Sequence, residues 1–164
     1  MDLGGCAPFI VLADTDIEKT LEIAVKARFQ NAGQSCIAGK RFIVVDPIFE
    51  EFSRAFQERV AGLVQGDPMN PTTQMGPMAR LDLAQSLKRQ LQESIEEGAM
   101  LLTGGTCEGA NFQPTLLAHV VPGMTAFYEE TFGPLAALVK ASDDREAIAL
   151  ANQSEYGLGA SVWT

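Results

Sequence analysis

Apolar residues along the chain alternate between short continuous runs and stripes at helical spacing. Residues 9–12 are all apolar, which predicts a buried strand. Thr15-Asp16-Ile17-Glu18 then has the form of a capping box, in which a hydroxyl and a carboxylate satisfy free amides at a helix start. Ile17, Leu21, Ala24, Val25 and Phe29 follow at the spacing of one helix face. That helix is expected to end near Asn31 or Gly33. The β-branched and aromatic run at 41–45 predicts a second strand. Asp46-Pro47 opens the next helix, with Asp46 as N-cap and Pro47 in the first helical position. Its stripe is Phe49, Phe52, Phe56, Val60 and Leu63.

A polar, proline-rich loop spans 66–80, long enough to suggest a functional or contact role. The next helix carries Ala84, Leu87, Leu91 and Ile95, and Gly98 is a natural stop. Strands are expected at 99–103, 115–120, 135–139 and 158–164. Ser142 is expected to cap a last helix over 143–152, whose acidic first turn suits the helix dipole. Strands alternating with helices define an α/β domain with a mostly parallel sheet and flanking helices. The 164 residues fit one domain. Both ends read as cut, with a glycine turn at Gly4-Gly5 and an apolar strand reaching Thr164. The expectation is a part of a longer protein.

Charge narrows the function classes. Twelve basic and 21 acidic side chains leave a net charge of −9. Such a surface repels nucleic-acid phosphates and anionic membranes, so neither is expected as a partner. No apolar run approaches the ~20 residues of a membrane span. Cys6, Cys36 and Cys107 are far apart, and His119 is the only histidine. These are too few soft ligands for a zinc site, so no metal is expected. Free thiols point to a reducing, cytoplasmic setting.

Three short clusters carry candidate chemistry. Cys36 lies in "QNAGQSCIAGKRF", a polar break between a helix and a strand. A free cysteine is more often buried and inert than reactive. Here polar and small neighbours set it at a bend, and a helical turn beginning at Cys36 would place amide dipoles against its sulfur. Lys40 and Arg41 add positive charge, although Arg41 also reads as a solvated strand-end residue. A cysteine hydrolase would need a base, and the context of His119, "LLAHVVPG", supports no such role. The second cluster, "YEETFGPL" over 128–135, sets Glu130 and Phe132 on one turn-bearing loop. Such a loop suits a sugar hydroxyl and a planar ring, although solvated acids and a core phenylalanine are the ordinary reading. The third is "DLGG" at 2–5, where two glycines permit close backbone approach.

Taken together, order and spacing resemble the NAD(P)-dependent aldehyde dehydrogenase superfamily. "FQNAGQSC" is similar to the family's aromatic-x-Asn-x-Gly-Gln-x-Cys signature, and "EETFGP" matches its Glu-Glu-x-Phe-Gly-Pro motif. "DLGG" resembles its Glu-Leu-Gly-Gly motif. "GDP", "MGPM", "EEGAMLLTGG" and "NFQPTLL" fall in the family's order, so the resemblance covers the whole chain. It implies a partial catalytic domain over 1–164 without the coenzyme-binding domain. Cys36 would be the nucleophile, passing through a thiohemiacetal and a thioester to the acid. Asp2 would stand where the family has the water-activating glutamate, one methylene short. Glu130 would bind the ribose of NAD or NADP, and Phe132 would contact its nicotinamide. The cysteine segment is closest in flavour to bacterial succinate-semialdehyde dehydrogenases, which makes a small aldehyde the substrate. Gln30 stands where another semialdehyde group has an arginine, and Arg28 either lines the same cleft or snorkels. A homo-oligomer is implied for the full-length protein. The chain alone is expected to bind no coenzyme and to be inactive, which leaves a folding or interaction module as the alternative.

Overall fold

The computed structural model describes residues 4–164. The first half of the chain gives β1 (Ala7–Val11), α1 (Ile17–Phe29), β2 (Gly39–Val45) and α2 (Asp46–Ala61), followed by α3 (Leu81–Glu96). The second half gives β3 (Met100–Thr103), β4 (Cys107–Glu108), β5 (Asn111–Phe112), β6 (Thr115–Ala118) and α4 (Thr125–Tyr128). It ends in β7 (Leu135–Ala141), α5 (Asp144–Ala151) and β8 (Ser161–Trp163). Six strands form one sheet in the order β3-β6-β7-β2-β1-β8, and β4 and β5 pair separately. All neighbours in the sheet are parallel except β3 and β6, which are antiparallel at one edge. The α/β expectation with a mostly parallel sheet therefore holds.

β2 is buried at all seven positions, as a strand covered on both faces must be. The apolar stripe of α2 buries Phe49, Phe52, Phe56 and Val60. Phe56 sits among aromatic rings, with centroids 5.0 Å from Phe42 and 5.6 Å from Phe52. Their area makes this cluster a main source of core stability.

Helix starts differ from expectation by one residue. Asp16, not Thr15, caps α1 by accepting from the Lys19 N–H, and the Thr15 hydroxyl pairs with that of Thr20 instead. Aspartate is as good an N-cap as threonine, so the extended backbone at Asp16 decides between them. Asp143 likewise caps α5 in place of Ser142, accepting from the Glu146 N–H at 2.9 Å. Asp46 is the first helical residue of α2 rather than its cap and forms an ion pair with Lys140. The β4–β5 hairpin and the four-residue α4 went unexpected, because such short pieces carry no readable period.

Candidate active site

The parallel pairing of β7, β2 and β1 decides where the sequence clusters meet. The glycine turn enters β1, the cysteine segment enters β2, and the Glu130 loop enters β7. Because these strands are adjacent and parallel, all three entering segments converge at the amino-terminal edge of the sheet. A Cβ at Gly5 would lie 2.3 Å from the Cys36 carbonyl oxygen, so the first two segments touch there and only glycine fits.

The cysteine segment is held in a left-handed turn. After α1, Asn31, Ala32 and Gly33 have φ values of 54°, 52° and 70°. Two consecutive L-residues in this region cost energy that local bonds must offset. Asn31 Nδ2 donates to the Gln34 carbonyl and Gln34 Nε2 to the Asn31 carbonyl, each at 3.1 Å. Gln34 Oε1 accepts from the Ala79 N–H at 2.9 Å. The long 66–80 loop thus braces the turn. Cys36 follows, half-buried, in a second turn closed by Ala38 N–H donating to the Ser35 carbonyl at 3.2 Å. A strand rather than a helical turn comes next, so the expected helix dipole at Cys36 is absent.

Three buried cations tie the segments together. Lys40 Nζ donates to the carbonyls of Ser35 at 3.1 Å and Cys36 at 3.2 Å. The same ammonium lies 3.4 Å from Glu130 Oε1, and that oxygen also accepts from the Gly5 N–H at 3.0 Å. Lys40 and Glu130 therefore join all three segments. Burial pushes the Lys40 ammonium below its usual range, as does the nearby Arg28 charge, and the Glu130 carboxylate opposes them.

Arg28 neither lines a cleft nor snorkels. It is fully buried. Its Nη2 donates to the carbonyl of Thr131 at 2.6 Å and to that of Gly133, so the helix before the cysteine is fastened to the Glu130 loop. Burial lowers its guanidinium to about 9, which leaves it charged at neutral pH. Arg41 is buried too, not a solvated strand end. It donates to Cys6 and to the last carbonyls of α5, Leu150 at 2.9 Å and Ala151 at 3.0 Å, where a cation suits the helix dipole. Two cations heading an otherwise apolar strand, "KRFIVV", were the sequence signal for these bonds.

The remaining candidates separate. Phe132 is half-buried, between the buried Thr131 and Gly133. Asp2 lies outside the described residues. His119 is exposed and lies away from the cluster, with its ring 6.1 Å from that of Phe49. Cys6 is buried, its Sγ facing the Phe127 carbonyl at 3.7 Å, and burial raises its pKa despite three nearby cations.

Glu129 stands apart from Glu130. It accepts from Gln90 Nε2 and Arg89 Nη2, each at 2.8 Å. The Gln90 bond foremost, then Arg89, holds its carboxyl below the usual range. A depressed carboxyl adds stability that is present above its unfolded value of about 4.3 and lost as pH falls through the folded value. Glu129→Gln is therefore expected to be less stable than the parent at pH 7 and to converge with it at the acid end, in urea titrations run at successive pH values. A constant gap between the two curves would contradict this.

The arrangement ties a half-buried cysteine, through its backbone carbonyl and the Lys40 ammonium, to a carboxylate that a backbone amide also fixes. This suits a covalent step at sulfur next to a hydroxyl-bearing ligand. The profile of the aldehyde dehydrogenase family matches residues 1–164, and the chain belongs to that family. Among curated relatives, it is 46% identical to the succinate semialdehyde dehydrogenase [NAD(P)+] of Escherichia coli K12, covering 100% of this chain and 36% of that protein. It is 42% identical to the succinate-semialdehyde dehydrogenase [NADP(+)] of Deinococcus radiodurans, covering 100% of this chain and 35% of that one. Of solved structures, the succinate-semialdehyde dehydrogenase of Burkholderia pseudomallei superposes with a TM-score of 0.96 at 33% identity, over 100% of this chain and 35% of that one. A 3,6-anhydro-L-galactose dehydrogenase in complex with NAP gives 0.96 at 38% identity, over 99% and 36%. The chain thus spans just over a third of the length of the curated relatives it matches.

Proposed function

We propose that the chain is part of the catalytic domain of an NAD(P)-dependent aldehyde dehydrogenase, with succinate semialdehyde as the favoured substrate. The observation that carries this reading is the meeting of Gly5, Cys36 and Glu130 at one sheet edge, joined through Lys40.

In this reading the Cys36 sulfur attacks the aldehyde carbon and forms a thiohemiacetal. The Cys36 backbone N–H helps hold the developing oxyanion. NAD or NADP, when bound, supplies the hydride acceptor. The carbon left on Cys36 is a thioester, and attack by water frees the carboxylic acid and the thiol. In this reading Asp2 would assist that water, with a side chain one methylene shorter than the family's glutamate.

The residues present fit the coenzyme's sugar end. The Glu130 carboxylate is fixed from one side by Gly5 and Lys40, and glycine backbone lies beside it with no room for a Cβ at Gly5. Glu130 would accept from ribose hydroxyls, and Phe132 would border the nicotinamide. A homo-oligomer is the expected state of a protein of the relatives' full length.

The test is reduction of NADP+ or NAD+ by succinate semialdehyde, read at the absorbance of the reduced coenzyme. A protein of the relatives' length that carries this chain is expected to turn over, and Cys36→Ser to lose that rate to background. The 164 residues alone are expected to give negligible turnover. A rate that survives Cys36→Ser would overturn the assignment.

A further inference from the structure

Lys40 stands near the start of β2, and its buried side chain reaches back to the cysteine turn. Its ammonium carries three N–H groups, and three oxygens lie around it: the Ser35 carbonyl at 3.1 Å, the Cys36 carbonyl at 3.2 Å and Glu130 Oε1 at 3.4 Å. A buried charge needs this degree of compensation. The Ser35 carbonyl has the further consequence, because it belongs to the same peptide unit as the Cys36 N–H. That unit is trans, and in a trans unit the carbonyl and the N–H point in opposite directions. An ammonium that holds the Ser35 oxygen therefore turns the Cys36 N–H away from itself. The Ala38 N–H donates to the same oxygen at 3.2 Å, so the peptide plane is held by two donors. The Cys36 N–H itself has no acceptor among the described residues, which leaves it open to a group arriving at the sulfur.

We infer that Lys40 is a positioning residue for acyl transfer: by holding the Ser35 carbonyl it aims the Cys36 N–H at the developing oxyanion. A cation on the carbonyl also draws electron density across the amide, so the N–H at its other end is a stronger donor. The role rests on the proposed reading of Cys36 as the nucleophile and adds to it a residue that acts through the backbone.

The test compares two reagents on Cys36 in the 164-residue chain. With p-nitrophenyl acetate the sulfur adds to the carbonyl carbon, and the resulting oxyanion collapses to the thioester and expels nitrophenolate. With iodoacetamide the sulfur displaces iodide from carbon in one step, and no oxyanion forms. Both rates are read by peptide mass analysis, with Cys107 as reference thiol. A lysine that only ties the turn, or only favours thiolate, changes the two rates alike. An oxyanion donor removed outright costs about 10²–10³ in rate. A donor kept but released from its alignment costs less, so the acylation-to-alkylation ratio at Cys36 is expected to fall roughly tenfold in Lys40→Met. The ratio at Cys107 stays fixed. Lys40→Gln keeps one neutral donor and is expected to fall between Lys40→Met and the parent. If Lys40→Met shows no cooperative urea transition, the same comparison on Lys40→Gln decides. An unchanged ratio in a folded variant, whether both rates hold or both fall together, would overturn the role of Lys40 alone. A parent chain whose Cys36 is acylated no faster than Cys107 would overturn the nucleophile reading and this role with it.

Discussion

Arg28→Leu is expected to lower the free energy of unfolding by about 2–4 kcal/mol. The guanidinium is fully buried, so the substitution removes donors from inside the protein rather than from its surface. The Thr131 carbonyl of the Glu130 loop loses its donor, the Gly133 carbonyl keeps only the Leu135 N–H at 2.8 Å, and no water replaces the guanidinium at a site of this burial. Each buried orphan costs about 1–3 kcal/mol, and relief of the guanidinium's own desolvation returns part of the total. Lysine is not expected to rescue, because a single ammonium lacks the planar fork that meets two carbonyls at once. Urea unfolding at neutral pH measures the change. A shift below ~0.5 kcal/mol, the size of an ordinary surface effect, would mean the carbonyls find other donors.

Gly33→Ala is expected to cost about 3 kcal/mol. Part of this is conformational, since Gly33 has φ of +70°, and alanine there pays about 1 kcal/mol. The larger part is steric. The new Cβ would stand 2.3 Å from the Gly133 carbonyl oxygen and 2.6 Å from its carbon, and backbone cannot move aside as a side-chain tip can. The cysteine segment and the Glu130 loop would have to separate. Gly109→Ala is the control. It has φ of +60° with open space around it, so only the conformational cost applies. Equal losses for the two substitutions, read from thermal or urea unfolding, would contradict a close approach between the loops.

Much of the fold was legible from periodicity, because the apolar runs and stripes are long enough to separate strand from helix. The runs at 41–45 and 135–139 became the two central strands, each extended by two residues at the end where a neighbour pairs with it. The stripe from Phe49 to Val60 became the core face of α2. Helix starts slipped by one residue wherever two capping side chains stood side by side, since either can cap and only the backbone chooses.

The candidate site was legible in its parts but not in its assembly. Cys36 and Glu130 stand out as residues in marked motifs, whereas their meeting depends on which strands pair. Lys40, Arg28 and Arg41 were harder to place. Sequence reading assigns cations to the surface by default, and these three are instead the buried ties between loops. Gln34 bonds a backbone amide 45 positions away, which no local pattern reports.

The central claim is that Cys36 accepts an acyl group. The direct measurement is to mix the chain with p-nitrophenyl acetate, quench it and map the acetylated peptides by mass. A burst of nitrophenolate is expected, with the acetyl group on the peptide that contains Cys36, and no burst from Cys36→Ser. Acetylation confined to Cys107 and surface lysines, or an equal burst from Cys36→Ser, would contradict it.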